Sequence, residues 1–441
     1  MNDFTSDPRF KKIRPLAEKA LLASPFMHGD ELGYVKEAFD SGWVTTVGKN
    51  IEELEKDVAA RVGVKYAVGL SSGTAALHMA IKLAAERIYG SSTGVSTPSG
   101  LGKGGALRGV RVFCSDLTFA ATVNPIVYEG GEPVFIDTEY ETWNMSPEAL
   151  EQAFRIYPDV RIVVLAHLYG TPGKLDELRS VCRQYGAYMI EDAAESFGAT
   201  YKGIQTGCFG ECAVISFNGN KIITGSAGGM FLTNHECDAN RVRKWSTQSR
   251  EAAPWYQHEE IGYNYRMSNV IAGVARGQIG YLEEHISKKR EIYKRYEEGL
   301  KDLPIKMNPF DDFSSTPNFW LSCMIIDPDA MCRNQRSGYD AIYGVEDGKS
   351  CPTEILEALT AFGAEGRPIW KPMHMQPIYM NHAFVTVEGS GRGRSNAYIG
   401  SEKILPAGED IFNRGLCLPS DIKMNGSTQD IVLDLIHCCF K

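Results

Sequence analysis

Short apolar segments alternate with amphipathic helical segments along the first part of the chain. The apolar segments are nearly continuous, as in "VRVFCSD", "PVFID", "RIVVLAHL" and "AYMIEDAA", whereas "PEALEQAFRIY" and "KLDELRSVCRQYG" have apolar residues at helical spacing. Strands with no polar face are typical of a parallel sheet that helices cover on both sides. The pattern therefore predicts an α/β fold with a mostly parallel central sheet up to about residue 245.

Further elements flank this region. "IEELEKDVAARVG" has Ile51, Leu54, Val58 and Val62 on one helical face, and "KYAVGL" reads as a short buried strand. "SSGTAALHMAIKLAAERI" begins a second helix, and "NVIAGVARGQIGYLEEHISKKREIYKRYEEGL" reads as one long amphipathic helix. After that helix, the strand-like "NFWLSCMIID" is followed by polar, helical and Gly-rich pieces, which indicates a smaller α+β region.

These patterns predict two domains and two loops. Residues 1–289 form an N-terminal segment and a large α/β domain, and residues 290–441 form a small C-terminal α+β domain. The Gly- and Ser-rich segments 89–109 and 387–403 read as flexible surface insertions, although basic residues in the first could approach a phosphate.

Composition narrows the class of partner. The formal charge of −9, from 46 Lys and Arg against 55 Asp and Glu, disfavours general binding to nucleic acid or anionic membranes. There is no apolar run of about 18–20 residues and no signal-peptide pattern at the start, so we expect a cytoplasmic protein that does not enter the membrane. The 11 cysteines are scattered without a CxxC pair, which favours free thiols over a metal site or disulfides. Small molecules are the expected partners.

Two segments could form parts of a ligand site. Ser71, Ser72, Gly73 and Thr74 lie where a strand ends and a helix begins, and the exposed amides of such a junction bind anions. The same residues could equally be an ordinary helix cap. In "SDLTFAATVNP", Phe119 lies in a polar loop after a strand, where it is either a core residue or a surface against which a ring can stack.

A carboxylate and a lysine follow at the ends of later strands. Asp192 closes the apolar "YMIED", where burial is costly unless a cation lies nearby, and a protonated pyridine nitrogen would supply one. A helix cap or a structural salt bridge would also explain this residue. Lys221 follows the strand "CAVISF" and precedes the small residues of "TGSAGGM", which leave room for a ligand. An anion cradle, an aromatic ring, a carboxylate and a lysine in this order predict a pyridoxal phosphate site.

The sequence also resembles a known family, the DegT/StrS group of fold-type I aminotransferases that act on nucleotide-linked keto sugars. The resemblance spans nearly the whole chain and rests on "SSGTAALH", "LTFAATVNP", "LYGTPGKLDEL", "EDAAESFGA", "SFNGNKIITGSAGGM" and "GYNYRMSNVIAGVARGQIGYLEEH". "STQSRE", "KKREIY" and "RPIWKPMH" are most similar to the bacterial members that aminate UDP-2-acetamido-4-keto-2,4,6-trideoxyglucose. The resemblance implies a fold-type I, aspartate aminotransferase-like architecture.

The resemblance also implies roles for residues around the cofactor ring. Lys221 would hold pyridoxal 5'-phosphate as a Schiff base and move protons, and Asp192 would pair with the ring nitrogen. Phe119 would stack on the ring. Glu195 would lie beside the phenolic oxygen, where many relatives have glutamine, and an ionised carboxylate cannot donate the hydrogen bond that glutamine can.

The resemblance also implies that Gly73, Thr74 and Ser216 bind the cofactor phosphate. Asn264 would reach that phosphate from the partner subunit, so the resemblance implies a homodimer with shared active sites.

The implied reaction has two halves. L-glutamate would convert the cofactor to pyridoxamine phosphate, which would then aminate the 4-keto carbon of the UDP-linked sugar for bacterial glycan or glycoprotein synthesis, with ping-pong kinetics. Arg367, Trp370 and His374 would line the sugar-nucleotide pocket, or be structural. The alternative substrates are another nucleotide keto sugar or a cyclitol ketone. The alternative function is that of a non-catalytic regulator with this fold. A dinucleotide-binding dehydrogenase is disfavoured because no GxGxxG opens an early helix.

Overall fold

The structure is a computed structural model. It describes residues 4–90, 105–337, 339–390, 392–394, 397–398 and 405–441. The helices in these ranges are α1 (Asp30–Asp40), α2 (Lys49–Val62), α3 (Gly73–Tyr89), α4 (Asn124–Tyr128), α5 (Pro147–Ile156), α6 (Leu175–Gln184), α7 (Glu236–Ser246), α8 (Asn269–Ile279), α9 (Leu282–Leu300), α10 (Pro352–Ala361), α11 (Ala407–Arg414) and α12 (Gly426–Cys439).

The strands form one large and several smaller sheets. In chain order they are β1 (Tyr66–Leu70), β2 (Arg111–Ser115), β3 (Glu132–Ile136), β4 (Ile162–Ala166), β5 (Tyr188–Asp192), β6 (Thr200–Tyr201), β7 (Ile204–Gln205), β8 (Cys212–Ser216), β9 (Gly229–Thr233), β10 (Ile305–Met307), β11 (Ser315–Thr316), β12 (Cys323–Ile326), β13 (Asn334–Ser337), β14 (Asp340–Tyr343), β15 (Arg367–Pro368), β16 (Phe384–Thr386), β17 (Gly389–Ser390), β18 (Arg392–Arg394), β19 (Ala397–Tyr398) and β20 (Gly415–Cys417).

The large sheet has the strand order β1-β9-β8-β5-β4-β2-β3-β16-β17. The pairings from β8 through β5, β4, β2 and β3 to β16 are parallel, whereas β9 is antiparallel to both of its neighbours. The predicted α/β fold with a mostly parallel central sheet is therefore confirmed.

Apolar side chains on both faces explain why this sheet lies inside the protein. Along β2, Phe113 packs in one core cluster, while Val112 and Cys114 pack in the other. Residues of α5 and α6 belong to the first cluster, and residues of α3 and α7 belong to the second. Helices thus cover the two faces that the alternating side chains of each strand present.

A second, antiparallel sheet of order β10-β12-β20-β15 forms the centre of the C-terminal region, where α9, α10 and α12 contribute to its core. Two contacts cross the predicted boundary at residue 290. From the N-terminal segment, Phe4, Phe10 and Ala20 pack into this C-terminal core. In the other direction, β16 extends the large sheet beside β3. The division into two domains at residue 290 stays a prediction. Segments from each side of that boundary pack with elements of the other side.

The long helix predicted for residues 269–300 is wrong in one respect, because the structure divides it into α8 and α9. Gly280 lies at the break and has a low helix propensity, and Tyr281 has φ −101° and ψ 5°. Tyr281 stacks on His28 at 3.6 Å between ring centroids, and its hydroxyl donates to Asp30 at 2.6 Å. Tertiary contacts thus fix the break. No helix in the described ranges is long and apolar enough to span a bilayer.

The two predicted insertions lie largely outside the described residues. Of the segment 89–109, residues 91–104 fall outside, while Ala106 and Leu107 are buried in the core. Most of 391–404 also falls outside the described ranges. The prediction that residues 89–109 lie at the surface is therefore wrong for Ala106 and Leu107, because their apolar side chains pack in the core.

Candidate active site

A cavity of about 280 Å³ lies where several parallel strands of the large sheet end. Its walls come from the start of α3 and from the segments that follow β2, β4, β5 and β8. The carboxyl ends of parallel strands are the usual place for ligands in α/β sheets. The cavity brings together every residue that the sequence predicts as a cofactor contact within one subunit, and also Trp370.

The start of α3 provides one end of this cavity. The first i to i−4 bond of the helix runs from the Ala76 amide to the Ser72 carbonyl at 3.1 Å, so the amides of Gly73 and Thr74 precede it. A Cβ on Gly73 would lie 2.9 Å from Cβ of Ser216. Glycine at this position therefore allows the helix to approach β8, with the Ser216 side chain beside the helix start. Such a helix start, with the positive end of its dipole, is suited to an anion.

Asp192, the last residue of β5, is buried in the wall of the cavity. Its Oδ2 accepts a hydrogen bond from the Thr122 hydroxyl at 2.7 Å, and its Oδ1 accepts one from the Ala194 amide at 3.1 Å. Burial raises the pKa of Asp192, although these bonds and the charge of Lys221 oppose the shift. A protonated ring nitrogen would stabilise the ionised carboxylate.

Lys221 reaches the same cavity from the loop after β8. Its Nζ lies 3.4 Å from Oε1 of Glu195 and 4.1 Å from the ring centroid of Trp320. Nε1 of Trp320 donates to the carbonyl of Asn220 at 2.8 Å. One indole thus contacts both the ammonium group and the backbone just before it, which limits where the lysine can go.

Glu195 connects the lysine to a neighbouring loop. Its Oε2 accepts a hydrogen bond from the Tyr169 amide at 2.8 Å. Burial raises the pKa of Glu195, while Lys221 and the Tyr169 amide oppose the shift. Tyr169 has a positive φ of 53°, and its hydroxyl accepts a hydrogen bond from the Trp370 amide at 2.9 Å. A strained, buried tyrosine therefore joins Glu195 to the segment that carries Trp370.

Phe119 and Trp370 form an aromatic wall, with ring centroids 5.4 Å apart. Phe119 is 53% exposed, so it is not a core residue.

The other predicted substrate residues do not line the cavity. His374 is fully buried, with Nδ1 2.7 Å from Oδ2 of Asp116, so the prediction that it contacts the sugar is not supported. Arg367 is exposed and pairs with Glu365 at 2.6 Å. Asn264 is exposed outside the cavity of its own chain.

Sequence reasoning missed several residues that line or support the cavity. Thr122 and Tyr169 lie inside the quoted motifs "LTFAATVNP" and "LYGTPGKLDEL", but nothing in their spacing distinguishes them. His167 follows β4 directly, and its Nε2 lies 3.1 Å from Oε2 of Glu191. Asp192 was predicted as a site residue because it lies at the end of a strand. His167, which directly follows β4, could have been predicted by the same argument. Trp320 lies in "NFWLSCMIID", which reads only as a strand.

Comparison with known proteins identifies the family. The sequence model of the DegT/DnrJ/EryC1/StrS aminotransferase family matches residues 25–437. The chain belongs to this family. It is 39% identical over 424 residues to EpsN of Bacillus subtilis, which is named as a pyridoxal phosphate-dependent aminotransferase, with 95% of each chain covered. It is 32% identical over 366 residues to GDP-perosamine synthase of Caulobacter vibrioides, covering 82% of this chain and 87% of the relative.

A solved structure agrees in fold. The sugar aminotransferase Spr1654 of Streptococcus pneumoniae, in its PMP form, superposes with a TM-score of 0.76 at 19% identity, covering 95% of this chain and 97% of that one. This structure supports the fold-type I architecture. The family match and the curated relatives make the protein a pyridoxal phosphate-dependent sugar aminotransferase.

The cavity of this aminotransferase fits its cofactor. Gly73 leaves the helix start open beside Ser216, where a Cβ would collide, and this is the close backbone approach that a phosphate requires. Both hydrogen bonds to the buried carboxylate of Asp192 come from neutral groups. The amine of Lys221 reaches the same space.

Proposed function

We propose that this aminotransferase moves the amino group of L-glutamate to the 4-keto carbon of a UDP-linked 2-acetamido-4-keto-2,4,6-trideoxy sugar, for the synthesis of bacterial glycans or glycoproteins. One observation carries the catalytic part of the proposal. The amine of Lys221, the buried carboxylate of Asp192 and the open helix start at Gly73 face a single cavity.

In this proposal, each residue around the cofactor ring has a separate role. When bound, pyridoxal phosphate supplies an electron sink for the carbon that loses or gains a proton. Asp192 keeps a proton on the ring nitrogen, and Lys221 carries a proton between the reacting carbons. Phe119 covers one face of the ring and excludes water from it.

Phosphate binding and Glu195 complete the site. The amides of Gly73 and Thr74 and the hydroxyl of Ser216 hold the cofactor phosphate. The family resemblance implies that Glu195 stands where many relatives have glutamine. Burial raises the pKa of Glu195, which increases the share of the protonated carboxyl, and that form can donate a hydrogen bond as a glutamine would.

We also propose that the active unit is a homodimer in which Asn264 reaches the cofactor phosphate of the other subunit. Asn264 is exposed, and Trp255, Tyr256 and Ile261 of the preceding loop expose 66–79% of their surface. Large apolar side chains of this kind favour an interface.

Subunit mixing tests the shared site. Lys221→Ala and Asn264→Ala should each be inactive as homodimers. When the two are mixed and allowed to exchange subunits, one intact site per heterodimer forms and activity should return. Two inactive variants that do not complement would contradict the shared site.

The choice of sugar nucleotide rests on sequence similarity. The segments "STQSRE", "KKREIY" and "RPIWKPMH" support the UDP-linked substrate. The relatives named GDP-perosamine synthase, at 28–32% identity, favour a GDP-linked 4-keto sugar as the second candidate. Both candidates keep the same cofactor and amino donor.

A spectrum of the purified protein with pyridoxal phosphate separates the candidates. The visible band of the bound cofactor should bleach with L-glutamate and return when UDP-2-acetamido-4-keto-2,4,6-trideoxyglucose is added. Return only with a GDP-linked keto sugar would move the assignment to the second candidate. A band that never bleaches with glutamate would contradict the amino donor.

A further inference from the structure

We propose that Asp116 and His374 are a pair of positioning residues that fix the aromatic wall at the mouth of the cavity and thereby govern binding of the sugar substrate. Neither residue lines the cavity. Asp116 follows β2 and lies three residues before Phe119, while His374 lies four residues after Trp370. The pair therefore joins the two segments that carry the wall.

Three hydrogen bonds connect the segments, all of them to Asp116. Its carbonyl accepts from the Met373 amide at 2.9 Å, and its Oδ1 accepts from the His374 amide at 2.9 Å. Its Oδ2 lies 2.7 Å from Nδ1 of His374. Both Asp116 and His374 are fully buried. Because buried polar groups are costly to leave without partners, these bonds hold residues 373 and 374 in one place.

The pair is itself anchored to the large sheet. The imidazole of His374 stacks on Phe384 with centroids 4.0 Å apart and an interplanar angle of 11°. Phe384 is the first residue of β16, which pairs with β3. A Cβ on Gly408 would lie 3.4 Å from Oδ2 of Asp116, so α11 packs closely against the carboxylate. The pair thus has a rigid support on several sides.

The wall depends on this support at one end and on Tyr169 at the other. The Trp370 amide donates to the Tyr169 hydroxyl at 2.9 Å, so the segment from Trp370 to His374 is held at both ends. Phe119 faces Trp370 at 5.4 Å and is half-exposed at the mouth. Loss of the Asp116 bonds therefore loosens the wall at the mouth.

The floor of the cavity has different anchors. Asp192 is held by Thr122 and Ala194, and Lys221 contacts Glu195 and Trp320. His374 makes none of these contacts. The floor is linked indirectly to the wall, through Tyr169 to the Trp370 amide and through Thr118 to the Asp116 carbonyl, and neither link uses the Asp116 side chain. The Asp116 side chain holds the Trp370 side of the wall, so Phe119, which covers the cofactor ring, should stay in place without it. A small amino donor should therefore be little affected, whereas a sugar nucleotide that fills the mouth should be affected strongly. This expectation rests on the proposed function.

Asp116→Ala tests the pair with two independent measurements. Hydrogen exchange of the cofactor-free protein, read by mass spectrometry, should show faster exchange of the His374 amide, because its side-chain acceptor is removed. The Met373 amide should show a smaller increase, because its acceptor is the Asp116 carbonyl, which the variant keeps. Peptides that contain Asp192 or Lys221 should be unchanged. In single half-reactions of the loaded enzyme, KM for the sugar should rise about tenfold and the glutamate half-reaction should change less than twofold.

Two matched variants serve as controls. Asp238→Ala removes another buried carboxylate, one whose ion pair with Arg87 at 2.7 Å joins α7 to α3 rather than to residues 373 and 374. It should leave the sugar KM and the exchange of those amides unchanged. Asp116→Asn keeps an acceptor for the His374 amide and should reduce the rise in the sugar KM from about tenfold to about threefold. If Asp116→Ala does not fold, Asp116→Asn carries the test with an expected rise of about threefold.

The outcomes separate this inference from the proposed function. Wild-type exchange at residues 373 and 374 in Asp116→Ala would overturn the inference, whichever sugar is the substrate. If Asp116→Ala weakened the glutamate half-reaction as much as it weakened the sugar half-reaction, the inference would also be overturned. The pair would then support the floor as well as the wall. Failure of the wild-type enzyme with every keto sugar would contradict the proposed function, and the exchange measurement would still decide whether the pair holds the segment.

Discussion

Replacing Gly73 by alanine should weaken the binding of the cofactor phosphate, because the added methyl group has no space. Its Cβ would lie 2.9 Å from Cβ and 3.2 Å from Oγ of Ser216. Ser216 ends β8, which pairs with β5 on one side and with β9 on the other. Because the central strand cannot move easily, the start of α3 has to shift away from Ser216.

Two opposing contributions set the change in stability that Gly73→Ala should cause. Overpacking of a well-filled site costs roughly 1–3 kcal/mol, and replacing glycine by alanine in a helix recovers up to about 1 kcal/mol. We therefore expect a net loss of about 1 kcal/mol in the free energy of unfolding. The displaced amides of Gly73 and Thr74 should reduce affinity for pyridoxal phosphate about 10- to 100-fold, since each 1.4 kcal/mol corresponds to a factor of ten.

The assay compares two ligands. Titration of the cofactor-free protein with pyridoxal phosphate and with pyridoxal, which lacks the phosphate, gives two dissociation constants. In Gly73→Ala the dissociation constant of pyridoxal phosphate should rise. That of pyridoxal should stay within about twofold of wild type, because only the phosphate binds at the helix start.

Gly33→Ala is the matched control. Gly33 lies inside α1, and a Cβ there meets nothing within 4 Å. This variant should gain up to about 1 kcal/mol in stability and bind both ligands as wild type does. An equal loss of affinity for pyridoxal and pyridoxal phosphate in Gly73→Ala, or no loss for either, would refute the placement of the phosphate at the start of α3.

Three further variants test the floor of the cavity. Lys221→Ala should still bind pyridoxal phosphate but should lack the visible band of a Schiff base, so an unchanged spectrum would place the Schiff base on another lysine. Asp192→Asn should slow both half-reactions by about 10²–10⁴-fold in stopped-flow absorbance, because it no longer stabilises a proton on the ring nitrogen, and a loss of less than threefold would exclude that role. Glu195→Gln should change how stability depends on pH. Burial raises the pKa of Glu195 above its usual value of 4.5, so the native state binds more protons than the unfolded state and loses stability as pH rises from 4.5 through the raised value. The cofactor-free glutamine variant should therefore melt above wild type at pH 7.5, with a difference that shrinks as pH falls towards 5, and a difference independent of pH would contradict this reasoning.

Sequence periodicity could predict the floor of the cavity because the floor is built from strand ends. Asp192 ends β5, and the loop that carries Lys221 follows β8. The two strands pair in parallel, so residues beyond their ends meet at one edge of the sheet. A hydrophobic run that ends in a carboxylate or precedes a lysine is visible in the sequence alone.

The supports of these residues were not predictable in the same way. Tyr169 and Trp370 are joined by a hydrogen bond although they are 201 residues apart in sequence. Trp320 contacts Lys221 from the other side of the predicted domain boundary. The break between α8 and α9 likewise depends on a ring contact with His28. Periodicity carries no information about such pairings, since they depend on how distant segments pack.

The floor and the mouth of the cavity therefore have different origins in the fold. Asp192 and Lys221 are fixed by the register of the central strands, where a change would disturb both faces of a buried sheet. Trp370 and His374 belong to a C-terminal segment that reaches the sheet through β16 and is held by hydrogen bonds to Asp116 and Tyr169. Substitutions in this segment can alter the space for a substrate without moving the strand ends. A fold arranged in this way can keep one chemistry while the sugar that it accepts changes. The sugar specificity of this chain should accordingly be sought at the mouth rather than at the floor.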